Sequence, residues 1–274
     1  MGFTLTTKKR VYDLDEKSLV MGILNVTPDS FSDGGKFVDL EKAVEQAEAM
    51  EADGADIIDV GGESTRPGHE PVSEEEELQR VLPVIEKLSA SLSIPISIDT
   101  YKAEVARQAI EAGADIINDV WGAKKDEHMA GVAASLDVPI ILMHNRTNKN
   151  YRNLIEDMIQ DLHESIAIAR QAGVRDENII LDPGIGFAKD HEDNLIVMRH
   201  LEAFQDLNYP LLLATSRKRF IGQILDLPAE ERMEGTGATV CLGISKGAHM
   251  VRVHDVKPVV RMVKMMDAML GKGE

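Results

Sequence analysis

Eight short runs of aliphatic and β-branched residues recur along the chain. Between them lie longer segments in which apolar residues return every three or four positions. The runs are LVMGILNV (19–26), ADIIDVG (55–61), IPISIDT (94–100), ADIINDV (114–120), VPIILMHN (138–145), NIILDPG (178–184), YPLLLATSRK (209–218) and HMVRVHDV (249–256). Consecutive apolar positions imply burial on both faces, the pattern of parallel strands covered by helices. Strands that alternate with helical segments build βαβ units. Eight such pairs point to an α/β fold of the (β/α)8 TIM-barrel type. The competing architecture is an open doubly wound sheet. Against it, no G-x-G-x-x-G follows the first run.

The helical segments carry their own punctuation. In 39–54, Leu40, Ala43, Val44, Ala47 and Met50 share one face and Gly54 closes the segment. In 153–173, Leu154, Met158, Leu162 and Ile166 point inward and Gly173 ends the helix. ADGADIIDV and EAGADIINDV are near copies, and SKGAHMVRVHDV is a looser third, as equivalent units of a closed barrel would be. No linker or low-complexity stretch divides the chain, so a single domain over residues 1–274 is expected. The residues before the first run are expected to form a small hairpin over the barrel floor.

Aromatic residues make up only 4% of the chain, so aliphatic side chains must fill the core. The formal net charge of -17 argues against nucleic acid as a partner. It does not exclude an anionic small substrate, because local fields decide local binding. The acidic run SEEEELQR (73–80) is expected to be a solvated helix face. One cysteine, Cys241, excludes an internal disulfide and reads as a packed core thiol. No signal-peptide pattern opens the chain and no apolar run is long enough to span a bilayer. A cytoplasmic protein with no membrane partner is therefore expected.

In such barrels the chemistry sits where the strands end. Those ends carry Asn25, Asp59 with Glu63, Asp99, Asn118 with Asp119, His144 with Asn145, Asp182, Ser216 with Lys218, and Arg252 with His254. Any single Asp or Asn there could be a cap or a turn residue. Eight polar ends together indicate a site. Asp99, Asn118 and Asp182 can read the donors of a planar heterocycle, since a carboxylate accepts two parallel N–H bonds. Lys218 can donate to a ring oxygen or nitrogen. Arg252 and His254 lie two apart on one strand, share a face and suit an anion. His144 could equally be a core histidine.

Two connections are longer than turns need. One spans 25–38 and contains Phe31, Asp33 and the pair Gly34–Gly35. The other, GGESTRPGHEPVS (61–73), contains Thr65, Arg66 and Pro67. Polar tips between glycines fit mobile lids that exclude water. There is no C-x-x-C, H-E-x-x-H or EF-hand pattern, so an all-protein metal cage is not indicated. Mg²⁺ held by one side chain, waters and a substrate phosphate remains open.

The motifs MGILNVTPDSFSDGG (21–35) and DIIDVGGESTRPG (56–68) resemble those of the dihydropteroate synthases, within the pterin-binding barrel family. SIDT, INDV, LMHN, LDPGIGF, SRKRFIG and RVHDV follow in the family's order, so the resemblance covers nearly the whole chain. It implies joining of 6-hydroxymethyl-7,8-dihydropterin pyrophosphate to p-aminobenzoate by a dissociative substitution. Asp182, Asn118, Asp99 and Lys218 would read the pterin. Met143, Gly186 and Phe187 would line its pocket. Asn25 through Mg²⁺, with Arg252, His254 and Thr65, would meet the pyrophosphate. Phe31 and Pro67 would wall the p-aminobenzoate site, Arg66 would also bind substrate, and Asp33 would face the developing cation. A homodimer is implied, with its interface on helices after residue 230, as is competition by sulfonamides. Many members carry Ser after the Lys of S-R-K, where this chain has Arg219. The p-aminobenzoate carboxylate would then use Arg219 or the N–H groups of the helix start.

Two other activities fit parts of the pattern. A methyltetrahydrofolate-binding methyltransferase shares the barrel and the pterin-reading Asp and Asn, but does not need the first long loop or the S-R-K motif. A Schiff-base aldolase would use Lys218 as nucleophile. Its neighbours Arg217 and Arg219 argue for a charged rather than an apolar setting.

Overall fold

The computed structural model of the protein describes residues 2–26, 35–63 and 71–273. A short antiparallel hairpin, β1 (Thr4–Thr6) and β2 (Val11–Asp13), comes first. Then follow β3 (Leu19–Asn25), β4 (Ile57–Gly61), β5 (Ile96–Asp99), β6 (Ile116–Asp119), β7 (Ile140–Met143), β8 (Ile179–Asp182), β9 (Leu212–Leu213) and β10 (Met250–Val253). These eight pair in parallel in the order β8-β7-β6-β5-β4-β3-β10-β9. A parallel bridge Leu181↔Leu211 joins the two ends, and Leu181 N–H donates to Pro210 O at 2.9 Å. The sheet thus closes into the barrel that eight strand–helix pairs predict.

The helices around it are α1 (Gly35–Ala52), α2 (Glu74–Ser91), α3 (Ala103–Glu111), α4 (Met129–Leu136), α5 (Leu154–Gln171), α6 (His191–Arg199), α7 (Arg219–Leu225), α8 (Met233–Ser245) and α9 (Val256–Met269). Each buries one stripe against the outer face of the strands. On α1 the stripe is Ala43, Ala47 and Met50. On α5 it is Met158, Leu162 and Ile166, as their spacing predicts. Gly54 and Gly173 end these segments with φ of +102° and +97°, a region a side chain resists.

Two hydrophobic clusters follow from the period-2 alternation of side chains. The outward set, including Val20, Ile58, Ile98, Ile117, Ile140, Leu181 and Val251, packs against the helices. The inward set is Leu19, Met21, Ile57, Ile116, Ile141, Ile180, Leu212 and Met250. Leu5, Tyr12 and Leu14 of the N-terminal segment complete it from below. The expected floor hairpin is therefore present, and it plugs the barrel with its own apolar face.

Three expectations need correction. Helix α1 begins at Gly35 rather than 39, so the first long connection is shorter than 25–38. No proline or second glycine pair follows Gly35 to stop the helix extending back to it. The acidic run at the start of α2 is not wholly solvated. A helix of 3.6 residues per turn cannot expose four consecutive side chains. Glu77 is the one turned inward, 1% exposed, where Lys102 bonds it and also reaches Glu63 at 2.5 Å. Cys241 is only half-buried, because the packed stripe of α8 runs through Thr236, Gly237, Val240, Gly243 and Ile244.

Candidate active site at the C-terminal mouth

The inward apolar layer sets what comes next along each strand. Two residues beyond Ile57, Ile116, Ile141, Ile180 and Met250 stand Asp59, Asn118, Met143, Asp182 and Arg252. Side chains two apart share a face, so these point into the barrel just above its hydrophobic floor. Asp99 joins them from β5, two beyond the buried Ser97. By the same alternation Asp119 faces the other way. Its carboxylate accepts from Trp121 N–H at 2.8 Å and Ala123 N–H at 2.6 Å, so it is a turn residue.

Arg252 is the centre of one half of the mouth. Its Nε donates to Asp59 Oδ2 at 2.6 Å and its Nη2 to Asp99 Oδ2 at 2.7 Å. Burial acts against the guanidinium charge, and the two carboxylates more than offset it, holding the pKa above its ordinary value. Burial raises that of Asp99, against the pull of Arg252. Asn118 Nδ2 donates to Asp59 Oδ2 at 3.2 Å. Asp59 Oδ1 and Asp99 Oδ1 are both buried without a hydrogen-bond partner. Unsatisfied buried carboxylate oxygens are costly. Here they line a mouth in which a ligand with N–H groups would satisfy them.

Asp182 and Lys218 form the other half. Asp182 Oδ1 accepts from Gly184 N–H at 2.7 Å. Burial raises the Asp182 pKa while Lys218 opposes the rise. Lys218 Nζ donates to Ile185 O and stands 5.0 Å from the centre of the Phe187 ring. Burial pushes its ammonium down to about 8, with Asp182 resisting. Its arginine neighbours do not make the setting more charged. Arg217, in the left-handed region at φ +57°, pairs with Asp255 at 2.6 and 2.9 Å, while Arg219 is exposed at the first position of α7.

Ser216 and His254 are joined at the end of β10. Ser216 Oγ accepts from His254 N–H at 3.1 Å and lies 2.9 Å from His254 Nδ1. Asn25, at the tip of β3, leans over Gly61. A Cβ on Gly61 would lie 3.7 Å from both Asn25 Oδ1 and Asp99 Oδ2.

Among the described residues, no group of three or more His, Cys, Asp or Glu is placed to hold a metal. The amide oxygen of Asn25 at the mouth nevertheless suits a hard cation that keeps water and substrate oxygens as most of its ligands. Phe31, Asp33, Thr65, Arg66 and Pro67 lie outside the described residues. Of the other predicted residues, Asn25, Asp99, Asn118, Met143, Asp182, Gly186, Phe187, Lys218, Arg252 and His254 come from strand ends or the loop after β8, and Arg219 alone is set out on the surface.

Two residues of this neighbourhood had no role in the sequence reading. Asp59 was legible as a strand-end carboxylate, and its inward phase beside Asp99 was available from the alternation in DIID. Lys189 gave no signal, since one lysine after a turn resembles any surface lysine. The structure buries it.

The sequence matches the model of the pterin binding enzyme family over residues 21–254. It is 66% identical over 267 residues to the dihydropteroate synthase of Bacillus subtilis (strain 168), covering 97% of this chain and 94% of that one. Among solved structures, the dihydropteroate synthase of Clostridium difficile in the presence of pteroic acid superposes with a TM-score of 0.93 at 50% identity. The match covers 94% of this chain and 98% of that one. The Xanthomonas albilineans dihydropteroate synthase with 4-aminobenzoic acid gives a TM-score of 0.93 at 40% identity, over 98% and 99% of the two chains.

Proposed function

The chain belongs to the pterin-binding enzyme family and has the activity of a dihydropteroate synthase, a transferase, and from that premise we propose how its barrel mouth carries out the reaction. The substrates are 6-hydroxymethyl-7,8-dihydropterin pyrophosphate and p-aminobenzoate. The products are 7,8-dihydropteroate and pyrophosphate. Asp182 carries the reading. A fully buried carboxylate with one oxygen bound to Gly184 N–H has its second oxygen available for the amino and ring N–H edge of a pterin. Asn118 and Asp99 complete the rim, and Met143 and Phe187 give apolar walls. Lys218 donates to a ring acceptor.

In the bond-breaking step the C–O bond between the pterin methylene and the diphosphate breaks, and the diphosphate leaves with the electron pair. The carboxylates around the mouth face the positive charge left on the pterin, and stabilising developing charge is where most rate enhancement arises. The neutral arylamine then attacks the methylene, a C–N bond forms, and the nitrogen loses its proton. No nucleophile-activating triad is needed, because the amine already has a lone pair. Arg252 and His254 meet the diphosphate. Asn25 would hold a Mg²⁺ ion at the diphosphate, where the ion would neutralise charge on the leaving group. The family resemblance assigns Phe31, Arg66 and Pro67 to substrate binding, Thr65 to the diphosphate and Asp33 to the developing cation. The p-aminobenzoate carboxylate is met at Arg219 or the helix start beside it.

The test is pyrophosphate release from the pterin substrate, with and without p-aminobenzoate and Mg²⁺. Formation of no dihydropteroate by purified protein would refute the reading. We also propose a cytoplasmic homodimer. In support, Leu242, Met265, Met269 and Leu270 are exposed on or just after α8 and α9. No described helix is long and apolar enough to cross a membrane. Sedimentation at micromolar concentration tests the dimer, and a monomer there would exclude it.

A further inference from the structure

The loop after β8, Pro183–Ala188, is held in an unfavourable backbone conformation. Gly184 has φ +66°, Gly186 +86° and Ala188 +49°. Glycine tolerates this region, whereas alanine there carries strain that surrounding structure must hold. A Cβ on Gly184 would run into the His144 carbonyl. Phe187 N–H donates to Gly184 O at 3.1 Å and closes the turn. Gly186 N–H donates to Asn194 Oδ1 at 2.6 Å, and Tyr151 O–H donates to Ala188 O at 2.9 Å.

Lys189 sits beneath this loop and is 5% exposed. Its Nζ donates to Gly184 O and to Phe187 O, both at 2.9 Å, and stands 3.0 Å from His144 Nδ1. His144 Nε2 lies 2.9 Å from Asp161 Oδ2. Arg146 also bonds Asp161; against the cost of burial, the hydrogen bonds from His144 and Arg146 hold that carboxylate well below the usual range. The anionic Asp161 requires a proton on Nε2. Burial pushes the imidazole down to about 4, so it stays neutral and Nδ1 presents a lone pair. Two carbonyls and this lone pair are three acceptors, which match the three N–H donors of an ammonium. Burial and repulsion from Lys218 work against that charge and lower it to about 7.

We propose that Lys189 is a positioning residue: through the Arg146–Asp161–His144 chain it holds Gly184 and Phe187 so that the loop presents its wall and the Ile185 carbonyl to the pterin and to Lys218. This rests on the reading of the mouth as a pterin pocket. Lys189 touches no reacting atom. It acts through the backbone that carries Phe187 and anchors Lys218.

The decisive variant is Lys189→Met, which keeps most of the volume and removes every donor. The KM for the pterin substrate should rise about tenfold or more, while that for p-aminobenzoate stays within about threefold. Adding Ala188→Gly to Lys189→Met should recover part of the loss, because glycine takes a positive φ without strain. A side chain that merely fills space would show neither the split between substrates nor the rescue. An unchanged pterin KM in Lys189→Met would overturn the proposal. Should that variant fail to fold, nitrogen NMR of the His144 ring in the wild-type enzyme decides it. A proton on Nε2 alone is the expected state, and a proton on Nδ1 alone would overturn the chain of bonds. An inactive wild-type enzyme would refute the pterin reading, and the ring measurement would still decide the chain of bonds.

Discussion

Replacing Asp182 by Asn removes one charge and one acceptor from the pocket and little else. Asp182 uses Oδ1 to accept from Gly184 N–H at 2.7 Å, and an asparagine Oδ1 can keep that bond. The loop after β8 should therefore stand, and the melting temperature should change little. Its NH2 group would then take the place of Oδ2. A pterin edge presents N–H donors there, so a charge-assisted pair becomes a donor facing a donor. Losing one partner of a buried charged contact costs about 2–5 kcal/mol. At about 1.4 kcal/mol per tenfold, affinity for the pterin should fall between about 30-fold and a few thousand-fold. The loss also bares Lys218, whose ammonium Asp182 helps to keep charged. Titration calorimetry with the pterin alone reads the affinity, and circular dichroism with thermal melting confirms the fold. A dissociation constant within threefold of wild type, in a folded protein, would show that Asp182 does not read the ring.

Arg252→Met would leave Asp59 and Asp99 buried and uncompensated, and should cost about 3–5 kcal/mol in urea unfolding. Adding Asp59→Asn should return part of that, and a strictly additive pair would disprove the network. Lys218 makes kcat/KM fall as pH rises through about 8, because the site then loses its ammonium; a Lys218→Met enzyme should lack that limb. The stability effect has the opposite sign. The native state releases this proton before the unfolded chain does, so this group's contribution to stability rises between about pH 8 and pH 10, which urea titrations across that window would check. Gly184→Ala, at φ +66° with the His144 carbonyl in the way, should lower stability by more than 1 kcal/mol, roughly, and weaken pterin binding; a neutral outcome would mean that the loop is not held as described.

The eight strands and the faces of α1 and α5 were legible because burial on both sides of a strand and on one stripe of a helix leaves a local, periodic trace. Asp99, Asn118, Asp182 and Arg252 were legible for the same reason, standing at the ends of apolar runs whose phase tells which side chains point inward. The resemblance of the two long motifs added the substrates, which no periodicity could supply. What the chain could not show is which of these groups touch each other. Asp59 and Arg252 are 193 residues apart and Asp99 and Arg252 are 153 apart, so their pairing exists only once the barrel has closed. Lys189 belongs to the same class. Alone it is a lysine after a turn. It is buried because the loop after β8 folds over it, and it becomes a latch because His144 and two carbonyls from that loop converge on one nitrogen. Period and apolar phase are properties of neighbouring residues and survive in the sequence. The desolvation that moves Lys218 and Asp99, and the partner that offsets it, come from atoms brought together across the closed sheet.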